Sequence, residues 1–267
     1  MGVAALTGEV ALCQMSIDKN DNAFTFHTRA ASGCGPGPGR KAVAWDRTTG
    51  ALYVHDFTTS NLIDETQMDK NGDYILAIEI TTDRSVVAVD VIRFRDGDAG
   101  IHRVVTGPAN GYLGDGHSTP GSGVLINEDA GITGWEIRSL ASPDTAQNLM
   151  QVLRSDGTRN WRYNGHITIN HADERYFLAE LWVAPVPAPS DLQPWEQEIV
   201  AVATDGTWIK RLAHHHSAIE LNPDGSHVYD DEPRVSTSYD GKYAMFTSNY
   251  DSLGRDVYVL RLPTICN

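Results

Sequence analysis

The chain has 267 residues, of which 41% are hydrophobic, and a formal net charge of −14. This length fits one large domain or two modest ones. The negative charge argues against non-specific binding to nucleic acid or to an anionic membrane, since both need a basic surface. No run approaches the roughly 18 consecutive apolar residues of a membrane span, so we expect no membrane-spanning segment.

From the N-terminus onward, the chain repeats one local pattern, in which a polar turn precedes an aromatic or apolar residue. The residues that follow these turns are Phe24, Tyr74, Val124, Tyr176 and Tyr243. Subtraction of their numbers gives intervals of 50, 50, 52 and 67 residues. A recurrence near 50 residues is typical of repeat architectures in which each repeat is one small unit.

A second turn signal, Gly after Asp or Thr, introduces a later strand in four of the units. Gly tolerates the positive φ that tight hairpin turns need. The turn pairs are Thr49-Gly50, Asp96-Gly97, Asp156-Gly157 and Asp205-Gly206, and the strands that follow them are Ala51 to Phe57, Ile101 to Thr106, Thr158 to Tyr163 and Thr207 to Ala213. Each unit is thus predicted to form four antiparallel strands, as in a β-propeller blade. A β-sandwich is the alternative for many short, evenly spaced strands.

The pattern predicts one domain, residues 1–267, made of five units. Their approximate bounds are 7–57, 58–107, 108–163, 164–213 and 214–267. The last unit shows three clear strands, and Val3 to Leu6 is placed to supply the fourth and to close a ring by pairing the chain ends. The alternative is that these units form part of a larger, six- to eight-bladed ring.

The last unit carries the most specific motif. Glu232 to Asn249 contains Pro233, Ser236, the turn Asp240-Gly241 and Phe246-Thr247-Ser248, and a strand beginning Asp-Val-Tyr-Val follows at Asp256. This segment resembles the WD40-like (PD40) repeat of TolB-type β-propellers. The resemblance is close for this unit and weaker for the other four. It implies an all-β propeller, and the five units counted above predict about five four-stranded antiparallel blades, although rings of the TolB type commonly have more. The resemblance also implies a non-enzymatic module that binds a protein or small ligand at the mouth of a central channel.

Polar residues recur where the innermost strand of each unit begins. Ten residues before the aromatic positions lie Gln14, Asp64, His166 and Pro233, and the shorter third unit has His117 at the corresponding place. Innermost strands line a propeller channel, so we expect these side chains to converge. The run His214 to His216 lies on a long loop that can reach the same mouth. Imidazole binds metals and acts as a general base near neutral pH. The alternative interpretation is structural, with each side chain bonding a neighbouring backbone group or standing in solvent.

A Gln and several His at a propeller axis also resemble the manganese site of oligogalacturonate lyases. In that family the metal binds the uronate carboxylate and a His removes the α-proton, which leads to β-elimination. The residues carried over are Gln14, His117, His166, His214 and His216 for a divalent metal, and His166, His171 and Arg234 for catalysis. The chain departs from that family in length, in blade count and in lacking a Gln-x-His-x-His-like cluster. The alternative function is therefore a metal-dependent lyase acting on uronate-containing oligosaccharides, and without it no cofactor is expected.

The expected partner is a protein or an acidic oligosaccharide, bound by a monomeric chain. No cleavable signal sequence is visible, because Gly2 to Leu12 is short, starts without charge and contains Glu9. The compartment stays open: periplasmic or secreted if a leader precedes this sequence, and cytoplasmic otherwise. The cysteines Cys13, Cys34 and Cys266 match no metal-ligand spacing. Cys13 and Cys266 would approach each other if the chain ends pair, which leaves a disulfide or free thiols as alternatives.

Overall fold

The structure is a computed structural model that describes residues 10–29, 41–57, 62–81, 85–105, 117–129, 134–160, 164–250 and 254–264. Within these residues the chain forms strands and three short 3₁₀ helices, Phe94–Gly100, Pro189–Asp191 and Tyr229–Asp231. No helix in the described part is long and apolar enough to cross a membrane.

The strands form five successive antiparallel sheets. The first two sheets contain β1 (Val10–Ile17), β2 (Ala23–Arg29), β3 (Lys41–Asp46) and β4 (Ala51–Asp56), then β5 (Leu62–Met68), β6 (Tyr74–Ile80), β7 (Val86–Arg93) and β8 (Ile101–Val105). The last three contain β9 (Ser118–Pro120), β10 (Val124–Asp129), β11 (Gly134–Ser139) and β12 (Ser142–Gln151), then β13 (Asn164–Thr168), β14 (Tyr176–Trp182), β15 (Glu198–Ala203) and β16 (Ile209–His214), then β17 (Ser236–Thr237), β18 (Tyr243–Ser248) and β19 (Asp256–Arg261). Strands that follow one another along the chain lie next to one another in each sheet. Five such sheets confirm the predicted all-β propeller class.

The burial of each strand follows from its sequence. β14 (Tyr176–Trp182) and β15 (Glu198–Ala203) are buried at every position, and both are nearly continuous apolar runs. Such runs are typical of central strands that are covered on both faces. β18 (Tyr243–Ser248) instead alternates exposed and buried residues over its first four positions, as expected for a strand with one open face.

Buried aspartates close the first turn of the first two sheets. The backbone N–H groups of Asn22 and Ala23 donate to Asp18 Oδ1 at 2.6 and 2.9 Å. Asp69 plays the same part in the next sheet, where it accepts from the N–H groups of Asp73 and Tyr74 at 2.8 Å each. These are the polar turns that the repeat pattern predicted, and they bring the strands on either side into register.

One predicted strand is wrong. Thr158 to Tyr163 was expected to be the outer strand of the third unit, but the outer strand is β12 (Ser142–Gln151). The pair Asp156-Gly157 instead closes a small loop, in which Asp156 Oδ1 accepts from Thr158 N at 2.9 Å and from Thr158 Oγ1 at 2.6 Å. An Asp-Gly pair specifies a tight turn but not which strands the turn joins. Residues 161–163 lie outside the described part of the chain.

The other predicted outer strands are confirmed as β4, β8 and β16, each to within two residues at either end. The strand expected at Val3 to Leu6 lies outside the described residues, as do Cys34, Cys266 and the side chain of Cys13. Closure of a ring, the disulfide and the native blade number therefore stay predictions.

The chain divides into two compact units. The first comprises Met1–Gly116, Pro120–Gly131 and Ile137–Gln147, and the second comprises His117–Thr119, Ile132–Glu136 and Asn148–Asn267. Each unit has a core between neighbouring sheets. In the first unit, Ile63, Ile75, Ile92 and Phe94 pack together with residues of β2 and β3. In the second, residues of β14 and β15 pack against Val235, Ala244, Phe246 and Leu262 of the last sheet.

Candidate functional site

The candidate site lies in the second unit, where the edge strand β13 meets the segment before β17. His166 stands in the middle of β13, directly opposite Glu180 of β14. Position 165, directly before His166, has no room for a side chain, because a Cβ there would lie 2.0 Å from the Glu180 carbonyl oxygen. The residue before the histidine therefore has to be glycine, which lets the two strands approach closely.

Strands β13 and β14 place His166 and Glu180 next to each other, and both residues contact the segment from Glu232 to Val235. His166 Nδ1 lies 2.5 Å from Glu180 Oε1 and 3.1 Å from the Pro233 carbonyl oxygen. The backbone N–H of His166 donates to Glu180 Oε1 at 2.8 Å, and the backbone N–H of Val235 donates to Glu180 Oε2 at 3.3 Å. Glu180 is fully buried, so its carboxyl group relies on these contacts.

A second buried carboxylate, Glu232, is 3% exposed and faces three side chains that can carry positive charge. Its Oε2 lies 3.4 Å from both His166 Nε2 and Arg234 Nη2. Its Oε1 contacts His227 Nε2. We call His117, His166, Glu180, His227, Glu232 and Arg234 the His–Glu cluster.

The electrostatics of the His–Glu cluster favour neutral groups at its centre. The His117 and His166 rings lie 4.0 Å apart between centroids. Burial, and next the neighbouring His166, lower the pKa of His117 to about 4. Burial also lowers the pKa of His166 and raises the pKa of Glu180 well above its ordinary value. Burial therefore favours the uncharged forms of His166 and Glu180.

The outer side of the His–Glu cluster is partly open. The Arg234 guanidinium lies 4.1 Å from the centroid of the Tyr229 ring, and that ring is 64% exposed. On the inner side, the Trp182 ring packs at 4.9 Å against His227. The buried Trp182 Nε1–H has no hydrogen-bond acceptor among the described residues. A buried donor without a partner is costly, so it is a candidate contact for an acceptor oxygen of a ligand or a water molecule.

Three of the predicted site residues belong to this cluster, namely His117, His166 and Arg234. His171 lies past the end of β13, where its ring stacks on Tyr176 at 4.1 Å and its Nδ1 is 3.3 Å from Thr237 Oγ1. That environment is a packed core contact rather than an open site.

The three consecutive histidines have other partners, and His214 is the last residue of β16 rather than part of the predicted loop. His214 Nε2 lies 3.6 Å from Glu198 Oε1, and the exposed His216 ring packs on Tyr250 at 4.9 Å. Between them, His215 is buried and structural: its Nε2 lies 3.0 Å from the Leu181 carbonyl oxygen, and its Nδ1 accepts from the Ser217 N–H.

The predicted metal set is only partly described. Gln14 lies in β1, but its side chain is outside the described part of the chain. Within the described residues, no group of three or more His, Cys, Asp or Glu side chains is arranged to hold a metal ion. Both ring nitrogens of His166 already face oxygen atoms of the protein. The described residues alone do not fit a metal, and the set including Gln14 stays a prediction.

Sequence reasoning missed Glu180, His227 and Trp182. Glu180 is the only charged residue in the run Tyr176 to Trp182, which is otherwise apolar or aromatic. A lone carboxylate in a strand buried at every position needs a partner, and that signal was available from the sequence. His227 has no comparable signal, because it lies in an irregular loop.

No protein-family model matches the chain, and no curated protein matches it by sequence. Solved structures do match. The β-propeller domain of Cps50 (Swd1) from Myceliophteria thermophila is 12% identical with a TM-score of 0.53, over 96% of this chain and 68% of that one. A TolB-like protein from Agrobacterium tumefaciens is 10% identical with a TM-score of 0.50, over 95% and 78%.

Hydrazine synthase from Kuenenia stuttgartiensis is 10% identical with a TM-score of 0.51, and this chain covers 62% of it, less than two thirds of its length. Two oligogalacturonate lyases match with TM-scores of only 0.44 and 0.46, which support no conclusion about this chain. At these identities the matches establish the fold alone, and the chain is a β-propeller. The narrower assignment to the PD40 repeat type stays a prediction.

Proposed function

We propose that the chain is a non-enzymatic, TolB-like β-propeller module that binds a protein segment or a small polar ligand over the His–Glu cluster. The observation that carries this proposal is the buried Glu232 carboxylate, which faces His166, His227 and Arg234 beside the edge strand β13. Burying a carboxylate together with basic side chains costs free energy, because the charged groups lose their contacts with water. Such arrangements are concentrated at sites that bind or transform a ligand.

The open side of the cluster indicates the chemistry of the ligand. Arg234 offers five N–H donors, and its side chain is 38% exposed. Tyr229 beside it provides an exposed aromatic face. A ligand with carboxylate or hydroxyl oxygens and a flat surface, such as a peptide or a sugar, satisfies both groups. The buried Trp182 N–H is a further donor for an oxygen atom that enters the cluster.

Nuclear magnetic resonance of the histidine side chains tests this proposal. The labelled protein is titrated with triglutamate, trigalacturonate and maltotriose, which are an acidic peptide, an acidic sugar and a neutral sugar. We expect at least one probe to shift the ring signals of His166 and His227. Arg234→Ala should weaken that binding by about tenfold or more, because a hydrogen bond to a charged group contributes roughly 1.5–3 kcal/mol.

Arg175→Ala is the matched control for Arg234→Ala. Arg175 lies in the same unit, is well exposed and forms an ion pair with Asp173. Its removal should leave probe binding unchanged. Shifts confined to His171 or His216, or equal losses in the two arginine variants, would contradict a ligand site at the cluster.

A second candidate is the metal-dependent lyase. The observation that favours it is that His117, His166 and Arg234, three of the residues carried over from that family, lie in one cluster. Incubation with uronate-containing oligosaccharides and manganese, followed by ultraviolet absorbance of unsaturated sugar ends, tests this function. Absorbance that disappears in His166→Ala but persists in Arg175→Ala supports the lyase. Bound trigalacturonate without any absorbance supports the binding module.

A further inference from the structure

We propose a second binding site in the first unit, for a small aromatic cation, in a cavity between β4 and β8. The cavity has a volume of about 230 Å³. Its walls include Tyr53 and His55 of β4, Ile75 of β6 and Ile101 of β8, and the 3₁₀ helix after β7 closes one end with Phe94 and Asp98. None of these residues belongs to the His–Glu cluster, so this site is independent of the proposed function.

The size of the cavity selects a ligand with one ring. An apolar cavity of about 150 Å³ already accepts benzene, whereas drug-sized ligands occupy about 300–1,000 Å³. A space of about 230 Å³ therefore suits a six-membered aromatic ring with one small substituent.

The walls of the cavity are preformed for an aromatic ring. Ile75, Ile92 and Phe94 are almost completely buried and belong to the core of the first unit. The Tyr53 and Phe94 rings meet edge to face, with centroids 5.3 Å apart and planes at 69°. Core packing holds both rings in place, so a ligand meets fixed aromatic surfaces and loses little free energy in ordering them.

The charges around the cavity select a cation. Asp98 lines the cavity at an exposed position, so its carboxylate places a negative charge at the mouth. A positively charged substituent on the bound ring would form an ion pair with this carboxylate.

Three isosteric probes test the proposal on the full chain: benzamidine, benzamide and benzoate, which are cationic, neutral and anionic. Binding is followed by titration of the ¹⁵N-labelled protein. We expect benzamidine to bind with a Kd of about 1 mM, the affinity of a good fragment of this size. Benzamide should bind more weakly and benzoate not measurably. Equal binding of benzoate and benzamidine, or no shift of signals around the cavity with benzamidine, overturns the proposal.

Two pairs of variants locate the site. Ile101→Trp fills the cavity and should abolish benzamidine binding, while Val105→Trp adds the same ring to a 54% exposed position on the same strand and should not. Asp98→Asn should weaken benzamidine binding about 2- to 5-fold, as expected for one exposed charge pair. Asp96→Asn, where Arg93 is the partner, should leave it unchanged.

Circular dichroism establishes that each variant is folded. Binding that survives in a folded Ile101→Trp protein places the probe elsewhere and overturns the site. If Ile101→Trp does not fold, the Asp98 and Asp96 pair decides: equal affinities in those two variants reject the proposal, and a selective loss in Asp98→Asn supports it.

Discussion

His166 and Glu180 stand opposite each other on neighbouring strands, with His166 Nδ1 2.5 Å from Glu180 Oε1. The carboxyl group is fully buried in a strand that has no other charged residue. The backbone N–H groups of His166 and Val235 also donate to it. Glu180 therefore joins two sheets of the second unit as well as orienting the imidazole at the centre of the candidate site.

Glu180→Ala should destabilise the protein by about 3–5 kcal/mol, because it leaves two buried N–H donors and an imidazole without their acceptor. Glu180→Gln keeps the shape and an acceptor oxygen. Since burial already raises the pKa of Glu180 and favours its neutral form, the amide should cost only about 1 kcal/mol. Urea unfolding at pH 7 measures both values. Equal losses in the two variants would show that an amide cannot replace this carboxyl group, which would contradict a favoured neutral form.

His215 should make folding stability depend on pH. Burial lowers the pKa of His215 to about 4, against an ordinary value of 6.5. Between these values the unfolded chain binds a proton that the folded chain does not, so stability rises with pH across this window. The contribution is complete above pH 6.5 and is lost as the pH falls towards 4. Its full size is on the order of 3 kcal/mol.

Urea unfolding from pH 4.5 to 7 of His215→Gln and of the parent protein measures this contribution. The slope of the unfolding free energy against pH should be smaller in the variant by about 1 kcal/mol per pH unit. His216→Asn, at the exposed neighbouring position, should retain the slope of the parent. If the unfolding free energies of His215→Gln and of the parent protein have the same slope against pH, His215 is not the cause of the pH dependence. His117 contributes in the same direction, since its pKa is also lowered to about 4.

Asp69→Ala should cost about 3 kcal/mol. The buried carboxylate of Asp69 accepts from four backbone N–H groups, those of Asn71, Asp73, Tyr74 and Gly123, at 3.3, 2.8, 2.8 and 3.2 Å. Removing it leaves several donors unsatisfied in the interior of the first unit. Asp205→Ala is the control, because that carboxylate closes an exposed turn where water can replace it. Chemical denaturation should show a clearly smaller loss for the control, and a similar loss would count against the role of burial.

Gly72→Ala should be more destabilising than Gly50→Ala. Both glycines have positive φ, +70° and +69°, so an alanine costs about 1 kcal/mol of backbone strain at either place. A Cβ at Gly72 would also lie 3.1 Å from Asp18 Cβ and 3.2 Å from Ala23 Cβ, whereas a Cβ at Gly50 meets nothing within 4 Å. We expect about 1–3 kcal/mol of extra loss for Gly72→Ala in thermal or urea unfolding. Identical losses of stability in the two variants would mean that Asp18 and Ala23 move aside from the new Cβ at no cost in free energy.

Much of the fold was predictable because its signals are local. The turn at Asp69 to Gly72, the outer strands β4, β8 and β16, and the three strands of the last sheet follow from turn residues and apolar alternation. The third sheet was the exception. β12 is polar at most positions and carries no apolar alternation, so the stronger signal at Asp156-Gly157 misplaced its outer strand.

The candidate site was predictable only in part. Counting back from the aromatic positions identified His117 and His166, because the repeat places equivalent residues on equivalent strands. The same counting cannot show which carboxylates those rings meet. His171 was expected to assist catalysis, but its ring stacks on Tyr176 inside the core. Its role depends on packing that no spacing rule records.

The order of residues along the chain determined the strands, the tight turns and the all-β class, since these depend on neighbours a few positions apart. Only the tertiary structure decided that His166 meets Glu180 and Glu232. His166 and the Pro233 carbonyl oxygen that it contacts are 67 residues apart in sequence. Their meeting depends on strand register and on the packing of one sheet against the next, and a shift of a single residue in β13 would turn the imidazole to the opposite face.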